Sequence, residues 1–323
     1  MSNTLAHVAV IGAGYMGGGI AQVFAMAGHS VAIADRDYET AQKAERRLVA
    51  QARLFEDAHL IPAGAAENIA ANISAAPSIE DAATGADYIS EAVPEIEELK
   101  LSTLRRIFSV AQPEAIVGTN TSALPIEALA VAVTDPGRFL GVHWMNPAPF
   151  IPGVEIIPSS MTTAETLATA EAIIRDLGKF TARVSDTPGF VANRLQFALY
   201  REAVRILEEG TATADQIDAV VQNSFGFRLA LFGPFAIGDM AGLDVYHSSY
   251  QTLERAYGDR FSPPRSLVDL VQSGNLGVKS GHGYLDIPDS ERAALLEFRD
   301  RAYARLSQLR TELGAAPGIG APK

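Results

Sequence analysis

The chain has 323 residues, enough for two domains, and its 48% hydrophobic and 20% charged residues are typical of a globular protein with a sizeable core. A formal net charge of −12 argues against a nucleic-acid partner, because phosphate binding favours a basic surface. The sequence has no cysteine, which excludes disulfides and thiolate chemistry, and it shows no long apolar run, leader segment or metal-site pattern, so we expect a cytoplasmic protein without a membrane span.

The first predicted elements are a strand, a glycine-rich loop and a helix. The apolar run Val8–Ile11 enters the loop, helical spacing follows over residues 18–27, and a second apolar run over residues 30–34 ends at Asp35. The loop glycines are Gly12, Gly14 and Gly17. A G-x-G-x-x-G loop between strand and helix, with an acid about 20 residues further on, is typical of dinucleotide-binding sites.

Each of these three positions in the loop requires glycine for a physical reason. Gly12 allows the tight turn, Gly14 lets the backbone approach a pyrophosphate, and Gly17 lets the helix pack closely on the strand. The helix N-terminus offers free N–H groups to the phosphates. Asp35 is placed to bind the ribose hydroxyls and favours NAD, whereas the neighbouring Arg36 could bind the additional phosphate of NADP and leaves that cofactor open. The alternative interpretation is a glycine-rich turn that binds no ligand.

After this motif the chain alternates between predicted helices and strands. Helices are predicted over residues 38–58, 63–72, 100–110, 126–133 and 163–177. Strands are predicted over residues 86–93, 115–119, 138–143, 154–157 and 179–184. The alternation predicts an α/β fold with a doubly wound, mostly parallel sheet, in which ligands bind outside the carboxyl ends of the strands. Residues at such ends are Glu95, Asn120, Ser122 and His143.

A shift in composition at residues 186–189 predicts a domain boundary. Residues 1–186 are predicted to form the NAD-binding domain, residues 187–313 an all-helical substrate and dimerisation domain, and residues 314–323 a disordered tail. Helices in the second domain are predicted over residues 191–209, 213–224, 234–257, 267–273 and 289–313, with Thr213 or Asp215 as a cap of the second.

His143 differs from the other histidines because it lies at a strand end, directly before a loop. An imidazole can take up a proton near neutral pH, and Glu155 on the next strand could hold the ring in one tautomer. Alcohol oxidation needs such a base, since the hydroxyl proton must leave while a hydride passes to the nicotinamide. The spacing alone leaves a purely structural His–Glu pair as an equal alternative.

The sequence resembles the 3-hydroxyacyl-CoA dehydrogenase superfamily from residue 7 to about residue 287. Besides the glycine loop, the matching segments are residues 91–95, 120–122, 143–147, 154–155, 186–194 and 277–283. The resemblance implies a Rossmann-like domain followed by a helical domain that forms a homodimer, with NAD as the cofactor.

The resemblance also implies roles for individual residues. His143 matches the catalytic base and Glu155 its partner, Ser122 and Asn193 match residues that bind the substrate oxygen, and Asn146 lines the catalytic centre. Glu95 and Lys100 match contacts to the nicotinamide ribose side of NAD. The cofactor-binding residues expected in all are Gly12, Gly14, Tyr15, Met16, Gly17, Asp35, Arg36, Glu95, Lys100, Asn120 and Asn146.

Two departures from the acyl-CoA members bear on the substrate. The predicted helical hairpin over residues 38–73 holds one lysine and three arginines against five acids, which makes it a poor binding place for the phosphates of coenzyme A. Arg228 precedes a Gly-Pro pair in a setting that resembles members acting on free acids, namely L-gulonate 3-dehydrogenase with its relative lambda-crystallin, carnitine dehydrogenase and the pyridine-carboxylate dehydrogenase of vitamin B6 breakdown. A guanidinium can bind both oxygens of a carboxylate, so we expect Arg228 to bind the substrate; a surface arginine stacked on Phe227 is the alternative.

These observations predict an NAD-dependent dehydrogenase that oxidises a small carboxylate-bearing hydroxy acid. A short-chain 3-hydroxyacyl-CoA dehydrogenase of fatty-acid metabolism, acting on 3-hydroxybutyryl-CoA, is one alternative. A non-catalytic, crystallin-like protein is the other, although the complete set of Ser122, His143, Glu155 and Asn193 argues against it.

Overall fold

The computed structural model describes residues 7–317. The chain forms two compact units that divide between Ala198 and Leu199. Of the predicted disordered tail, residues 318–323 lie outside the described residues.

The first unit is built on one eight-stranded sheet. Its strands are β1 (His7–Ile11), β2 (Ser30–Ala34), β3 (Ile73–Ala75), β4 (Tyr88–Glu91), β5 (Ile116–Thr119), β6 (Phe139–Trp144), β7 (Gly153–Pro158) and β8 (Phe180–Arg183). They lie in the order β3-β2-β1-β4-β5-β6-β7-β8, and every neighbouring pair is parallel except β6 and β7. The predicted doubly wound, mostly parallel sheet is therefore confirmed.

Helices accompany the strands along this unit. They are α1 (Tyr15–Met26), α2 (Tyr38–Asp57), α3 (Ala65–Asn72), α4 (Ile79–Ala83), α5 (Glu97–Val110), α6 (Ile126–Ala130) and α7 (Ala164–Asp176). Alternate residues of β1 belong to two separate apolar clusters: Val8 packs in the same cluster as Phe24 of α1, and Ala9 in the same cluster as Leu104 of α5. A strand buried on both faces explains why β1 reads as a continuous apolar run.

Two short elements of this unit were not predicted from the sequence. The strand β3 has three residues and the helix α4 has five, which is too few for either to show a hydrophobic period. Ser78 begins α4 because its hydroxyl accepts a hydrogen bond from the backbone N–H of Asp81 at 3.0 Å.

The second unit consists of helices joined by loops, which confirms the predicted helical C-terminal part. The helix α8 (Ala192–Glu208) begins in the first unit, and it is followed by α9 (Ala214–Asn223), α10 (Phe225–Leu229), α11 (Pro234–Ala241), α12 (Leu243–Tyr257), α13 (Arg265–Gln272) and α14 (Asp289–Leu313). Thr213 caps α9 in a reciprocal pair with Gln216, as predicted. The helical region predicted over residues 234–257 consists of two helices, and Gly242 separates them with a φ of 101°.

Two features of these helices matter below. The five-residue α10, which contains Arg228, was not predicted as a helix. No helix within residues 7–317 is both long and apolar enough to cross a membrane.

Candidate active site

The glycine loop joins β1 to α1 and is closed on two sides by backbone. A Cβ on Gly17 would lie 1.8 Å from the carbonyl oxygen of Gly12, and a Cβ on Gly12, whose φ is +95°, would lie 2.6 Å from that of Ala92. A Cβ on Gly14, by contrast, would meet nothing within 4 Å. The loop is therefore packed tightly at its ends and open at Gly14, the position where a ligand's phosphates would approach.

The surroundings of this loop fit an anionic dinucleotide. No side chain caps the N-terminus of α1, and its first turn has no acidic residue, so the N–H groups and the positive end of the helix dipole stay available. Asp35 accepts a hydrogen bond from the backbone N–H of Ala13 at 2.8 Å, which ties the acid at the end of β2 to the loop. Arg36 is exposed and lies 3.4 Å from Asp37. Tyr15 is exposed and Met16 is half-buried at the start of the helix.

His143 and Glu155 form a buried pair on the antiparallel strands β6 and β7. They are direct partners in the register of the two strands, and Nδ1 of His143 lies 2.8 Å from Oε2 of Glu155. Because the carboxylate accepts the proton on Nδ1, the neutral ring carries its free lone pair on Nε2. No group within residues 7–317 forms a hydrogen bond with that Nε2, so the atom is free to accept a proton.

Glu155 has a second set of partners that sequence analysis did not identify. Its Oε1 accepts hydrogen bonds from the backbone N–H groups of Val191 and Ala192, at 3.0 and 2.9 Å, where α8 begins. Burial alone would raise the pKa of Glu155, but the hydrogen bonds from His143, Ala192 and Val191 outweigh it and hold this pKa below its ordinary value. The donors are backbone groups, so no side-chain pattern could have indicated them.

Ser122 and Asn193 are brought together although 71 residues separate them. The side-chain amide of Asn193 donates a hydrogen bond to the carbonyl oxygen of Ser122 at 2.8 Å. The side chain of Ser122 is exposed. Asn193 directly follows the two residues that bind Glu155, so Ser122, Asn193, Glu155 and His143 are connected through consecutive contacts.

Glu95 organises the loop that carries Ser122. Its Oε1 accepts hydrogen bonds from the hydroxyl of Thr121 at 2.5 Å and from the backbone N–H groups of Ser122 and Ala123 at 3.0 and 3.1 Å. Partial burial alone would raise the pKa of Glu95, but the Thr121 hydrogen bond, the nearby Lys100 charge and then the two backbone hydrogen bonds outweigh it and lower this pKa.

Lys100 lies fully buried beneath this loop. Its ammonium is 3.0 and 3.1 Å from the two carboxylate oxygens of Glu91, itself fully buried, and it donates to the carbonyl oxygen of Asn120 at 3.0 Å. It is also 3.9 Å from Glu95. A fully buried Lys100 offers no surface to a ligand in this structure, so its direct contact with the cofactor stays a prediction. Glu91 is a further residue of the site that the sequence analysis did not single out.

Asn120 and Asn146 both lie near the carboxyl end of β6. The side-chain oxygen of Asn120 accepts a hydrogen bond from the N–H of Trp144 at 3.0 Å. Asn146 is exposed, precedes a cis proline, and lines a cavity of about 260 Å³ together with Tyr15 and Arg47. Two residues predicted to bind the cofactor, Asn146 and Tyr15, therefore share one cavity.

Arg228 lies in the second unit, in the last turn of α10. Its guanidinium is half-buried and forms no ion pair with any described residue. The alternative that Arg228 stacks on Phe227 is not found, because the ring of Phe227 is covered by Arg310, whose Cζ lies 5.6 Å from the ring centre.

Comparison with known proteins identifies relatives that match both the sheet-containing part and the helical part of the chain. The model of the 3-hydroxyacyl-CoA dehydrogenase NAD binding domain matches residues 7–187, and that of the 3-hydroxyacyl-CoA dehydrogenase C-terminal domain matches residues 189–287. The chain is 33% identical over 296 residues to 5-formyl-3-hydroxy-2-methylpyridine 4-carboxylate 5-dehydrogenase of Mesorhizobium japonicum, covering 91% of this chain and 95% of that protein. It is 34% identical over 277 residues to a probable 3-hydroxybutyryl-CoA dehydrogenase of Deinococcus radiodurans, covering 85% of this chain and 98% of that protein. The crystal structure of a 3-hydroxyacyl-CoA dehydrogenase of Archaeoglobus fulgidus matches with a TM-score of 0.77 and 32% identity, covering 96% of this chain and 99% of the other.

Proposed function

Because the chain belongs to the 3-hydroxyacyl-CoA dehydrogenase family of NAD-dependent oxidoreductases that act on CH–OH groups, we propose that it oxidises the secondary hydroxyl of a small carboxylate-bearing hydroxy acid. The observation that carries the reaction is the buried pair of His143 and Glu155, with Nε2 of the histidine unpaired among the described residues. The observation that favours a carboxylate is Arg228, whose charge has no counter-ion in the described part of the chain.

In this proposal His143 is the general base. Its Nε2 takes the hydroxyl proton of the substrate, and Glu155 stabilises the imidazolium that forms. The carboxylate can do so without moving, because it already accepts the Nδ1 proton and is itself fixed by two N–H groups of α8. Such prior fixing lowers the barrier, since no group has to reorganise as charge develops.

Ser122 and Asn193 orient the substrate oxygen. One amide hydrogen of Asn193 is used by the Ser122 carbonyl, which leaves the second hydrogen for the substrate. The exposed hydroxyl of Ser122 lies on the loop that Glu95 holds. Two donors fixed in this way could keep the reacting hydroxyl in a near-attack position.

The glycine loop and the strand ends hold the cofactor. Gly14 and Gly17 with the start of α1, including Tyr15 and Met16, would bind the pyrophosphate, and Asp35 would bind the adenosine ribose. Glu95, Asn120 and Asn146 would face the nicotinamide side, with Lys100 fixing Glu95 and Asn120 from beneath. Bound NAD supplies a hydride acceptor.

The hairpin formed by α2 and α3 has few basic side chains available to bind the phosphates of a coenzyme A ester, and this argues against such a substrate. Lys43 pairs with Glu39 at 2.6 Å, and Arg47 donates to the carbonyl oxygen of Ala13 at 2.8 Å, so two of its four cations are already engaged. Arg46 and Arg53 have neither an ion pair nor a side-chain hydrogen bond among the described residues.

A short-chain 3-hydroxyacyl-CoA dehydrogenase is the second candidate. It is favoured by the 34% identity to a protein named probable 3-hydroxybutyryl-CoA dehydrogenase, whereas the pyridine carboxylate dehydrogenase at 33% favours the first candidate. The connected set of Ser122, His143, Glu155 and Asn193 opposes a non-catalytic role.

The test is NAD reduction by the purified protein with 3-hydroxybutyrate, L-gulonate and carnitine beside 3-hydroxybutyryl-CoA. We expect turnover of a free acid, and we expect Arg228→Met to raise its KM by more than tenfold while the Kd of NAD is unchanged. Arg305→Met, which removes an exposed arginine of α14, serves as the matched control. Turnover of the coenzyme A ester alone, or a KM unaffected by Arg228→Met, would reject the carboxylate site.

We further propose that the protein is a homodimer formed through its second unit. Large apolar side chains are exposed on several of its helices, such as Tyr200 of α8, Val220 of α9 and Phe235 of α11. Exposed apolar surface of this kind is typical of an interface. Sedimentation equilibrium should give twice the chain mass, and Tyr200→Glu should shift the protein towards monomer.

The location of the protein in the cytoplasm stays a prediction from the sequence.

A further inference from the structure

The helix α14 lies beyond the part of the chain that the family's C-terminal domain matches. That match ends at residue 287, and α14 spans the 25 residues Asp289–Leu313. Its side chains contact the end of α9 and the segment that follows, residues 222–232, which carries Arg228. An added helix therefore contacts the segment that presents the proposed carboxylate ligand.

Arg310 makes three contacts to this segment with a single guanidinium. Nη1 donates to the carbonyl oxygen of Gln222 and Nη2 donates to Oδ1 of Asn223, both at 3.0 Å. The guanidinium also lies over the ring of Phe227, with Cζ 5.6 Å from its centre. The carbonyls at the end of α9 lack partners within the helix, and a cation at a helix C-terminus is favourable, so Arg310 is suited to this place by both hydrogen bonding and charge.

Two aromatic residues of α14 hold the other side of the segment. The ring of Tyr303 lies 5.9 Å from both Phe227 and Phe232, and Phe298 packs edge-to-face on Phe232 at 6.0 Å. Phe227 and Phe232 flank Arg228 in sequence. Side chains of α14 therefore pack on this segment on both sides of Arg228 in sequence.

The short helix α10 needs such support. Its five residues are too few for a helix to be stable without tertiary contacts. Its first turn also packs closely on the end of α9, since a Cβ on Gly226 would lie 2.5 Å from the carbonyl oxygen of Val221. Because the Arg228 guanidinium forms no ion pair with a described residue, the position of the α10 backbone sets the region that its charge can reach.

We propose that α14 is the specificity element for the substrate's carboxylate, with Arg310 as a positioning residue that acts through Phe227 and α10 on Arg228. This inference rests on the proposed function, in which Arg228 binds the carboxylate. It predicts that a substitution in α14, which leaves the catalytic pair untouched, changes the KM for a free acid and leaves kcat unchanged.

The experiment compares Arg310→Met and Arg310→Lys with the matched control Arg305→Met. Arg305 is an exposed arginine of the same helix without an ion pair among the described residues, so its loss removes the same charge but none of the contacts. Point variants are chosen because removal of the whole helix would uncover Phe227 and Phe232.

The first readout is independent of any substrate. Hydrogen–deuterium exchange of residues 225–232 should become at least tenfold faster in Arg310→Met, with no change in the first unit, and should stay at the wild-type rate in Arg305→Met. Equal exchange rates in the two variants would overturn the role of Arg310 as a positioning residue. Arg310→Lys keeps the charge but not the paired hydrogen bonds or the flat group, so we expect it to resemble Arg310→Met. Wild-type exchange in Arg310→Lys would contradict the geometric part of the proposal.

The second readout is steady-state kinetics with whichever of 3-hydroxybutyrate, L-gulonate and carnitine is turned over fastest. We expect Arg310→Met to raise KM at least fivefold without changing kcat or the Kd of NAD. An unchanged KM alongside faster exchange overturns the specificity role. A protein that turns over none of these acids, or whose KM is unaffected by Arg228→Met, instead fails the proposed function, and the exchange result then shows separately whether α14 holds α10.

Discussion

Replacing Lys100 by methionine should leave a buried carboxylate without its counter-ion. Glu91 and Lys100 are both fully buried, and the ammonium is 3.0 and 3.1 Å from the two carboxylate oxygens. Methionine has nearly the volume of lysine, so the substitution removes the charge with little change in packing. Burial raises the pKa of Glu91, and the Lys100 charge opposes this effect; without that charge, the pKa should rise further.

The size of the effect follows from the proton that Glu91 must then bind. Keeping a carboxyl group with an ordinary pKa of about 4.3 protonated at pH 7 costs about 4 kcal/mol, and the cost changes by about 1.4 kcal/mol per pH unit. Mutations that break buried ion pairs cost about 3–5 kcal/mol, in agreement with this value. The folded variant holds a proton that the unfolded chain has lost, so its stability falls as the pH rises above the unfolded-state pKa.

Urea unfolding of the wild type and Lys100→Met at pH 5, 6, 7 and 8 measures this effect. We expect the difference in free energy of unfolding to be smallest at pH 5 and to grow with each pH unit. The double variant Glu91→Gln/Lys100→Met should lose most of that pH dependence, because no carboxyl group remains to take up a proton. Lys43→Met, which breaks an exposed ion pair, is the control and should change little. A deficit of the same size at every pH would refute the reasoning.

Three further predictions concern the catalytic pair and the glycine loop. His143→Asn should lower kcat by about 10²- to 10⁴-fold with the Kd of NAD unchanged, and near-normal turnover would contradict its role as the base. Glu155→Gln should cost stability mainly above the unfolded-state pKa of about 4.3, because the folded-state pKa of Glu155 is lowered, and the difference from the wild type in urea unfolding should shrink as the pH falls from 7 to 4. Gly14→Ala should weaken NAD binding in calorimetric titration without lowering the Tm of the free protein. Gly17→Ala, whose Cβ would lie 1.8 Å from the Gly12 carbonyl oxygen, should lower both the affinity for NAD and the Tm. A normal Tm for Gly17→Ala would contradict the packing argument.

The elements with a strong local signal could be predicted from the sequence. The run into the glycine loop, the helix behind it and the strands that alternate with helices all have the lengths and periods that local patterns reveal, and the pairing of His143 with Glu155 followed from neighbouring strand positions. The antiparallel direction of β7 has no such signal, since β7 is buried on both faces and its apolar run looks alike in either direction.

The support of the site could not be predicted in the same way. The resemblance implied a contact between Lys100 and NAD, and only the fold shows that Glu91 and Asn120 surround its ammonium. The bonds from Val191 and Ala192 to Glu155 come from backbone groups, which the sequence does not distinguish from any others. The helix α10 is too short for a period, and its partner α14 begins 60 residues after it ends.

The reversed strand β7 also sets a limit on how the loop before it could change in evolution or design. His143 faces Glu155 because the two strands pair in one register, and successive side chains of a strand point to opposite faces of a sheet. A slip of one residue would set Val154 or Ile156 opposite the histidine and turn the carboxylate to the other face. Insertions and deletions between residues 145 and 152 should therefore be tolerated only where they leave the pairing of β6 and β7 intact. We expect the strand register to be retained among related sequences even where the sequence and length of this loop differ.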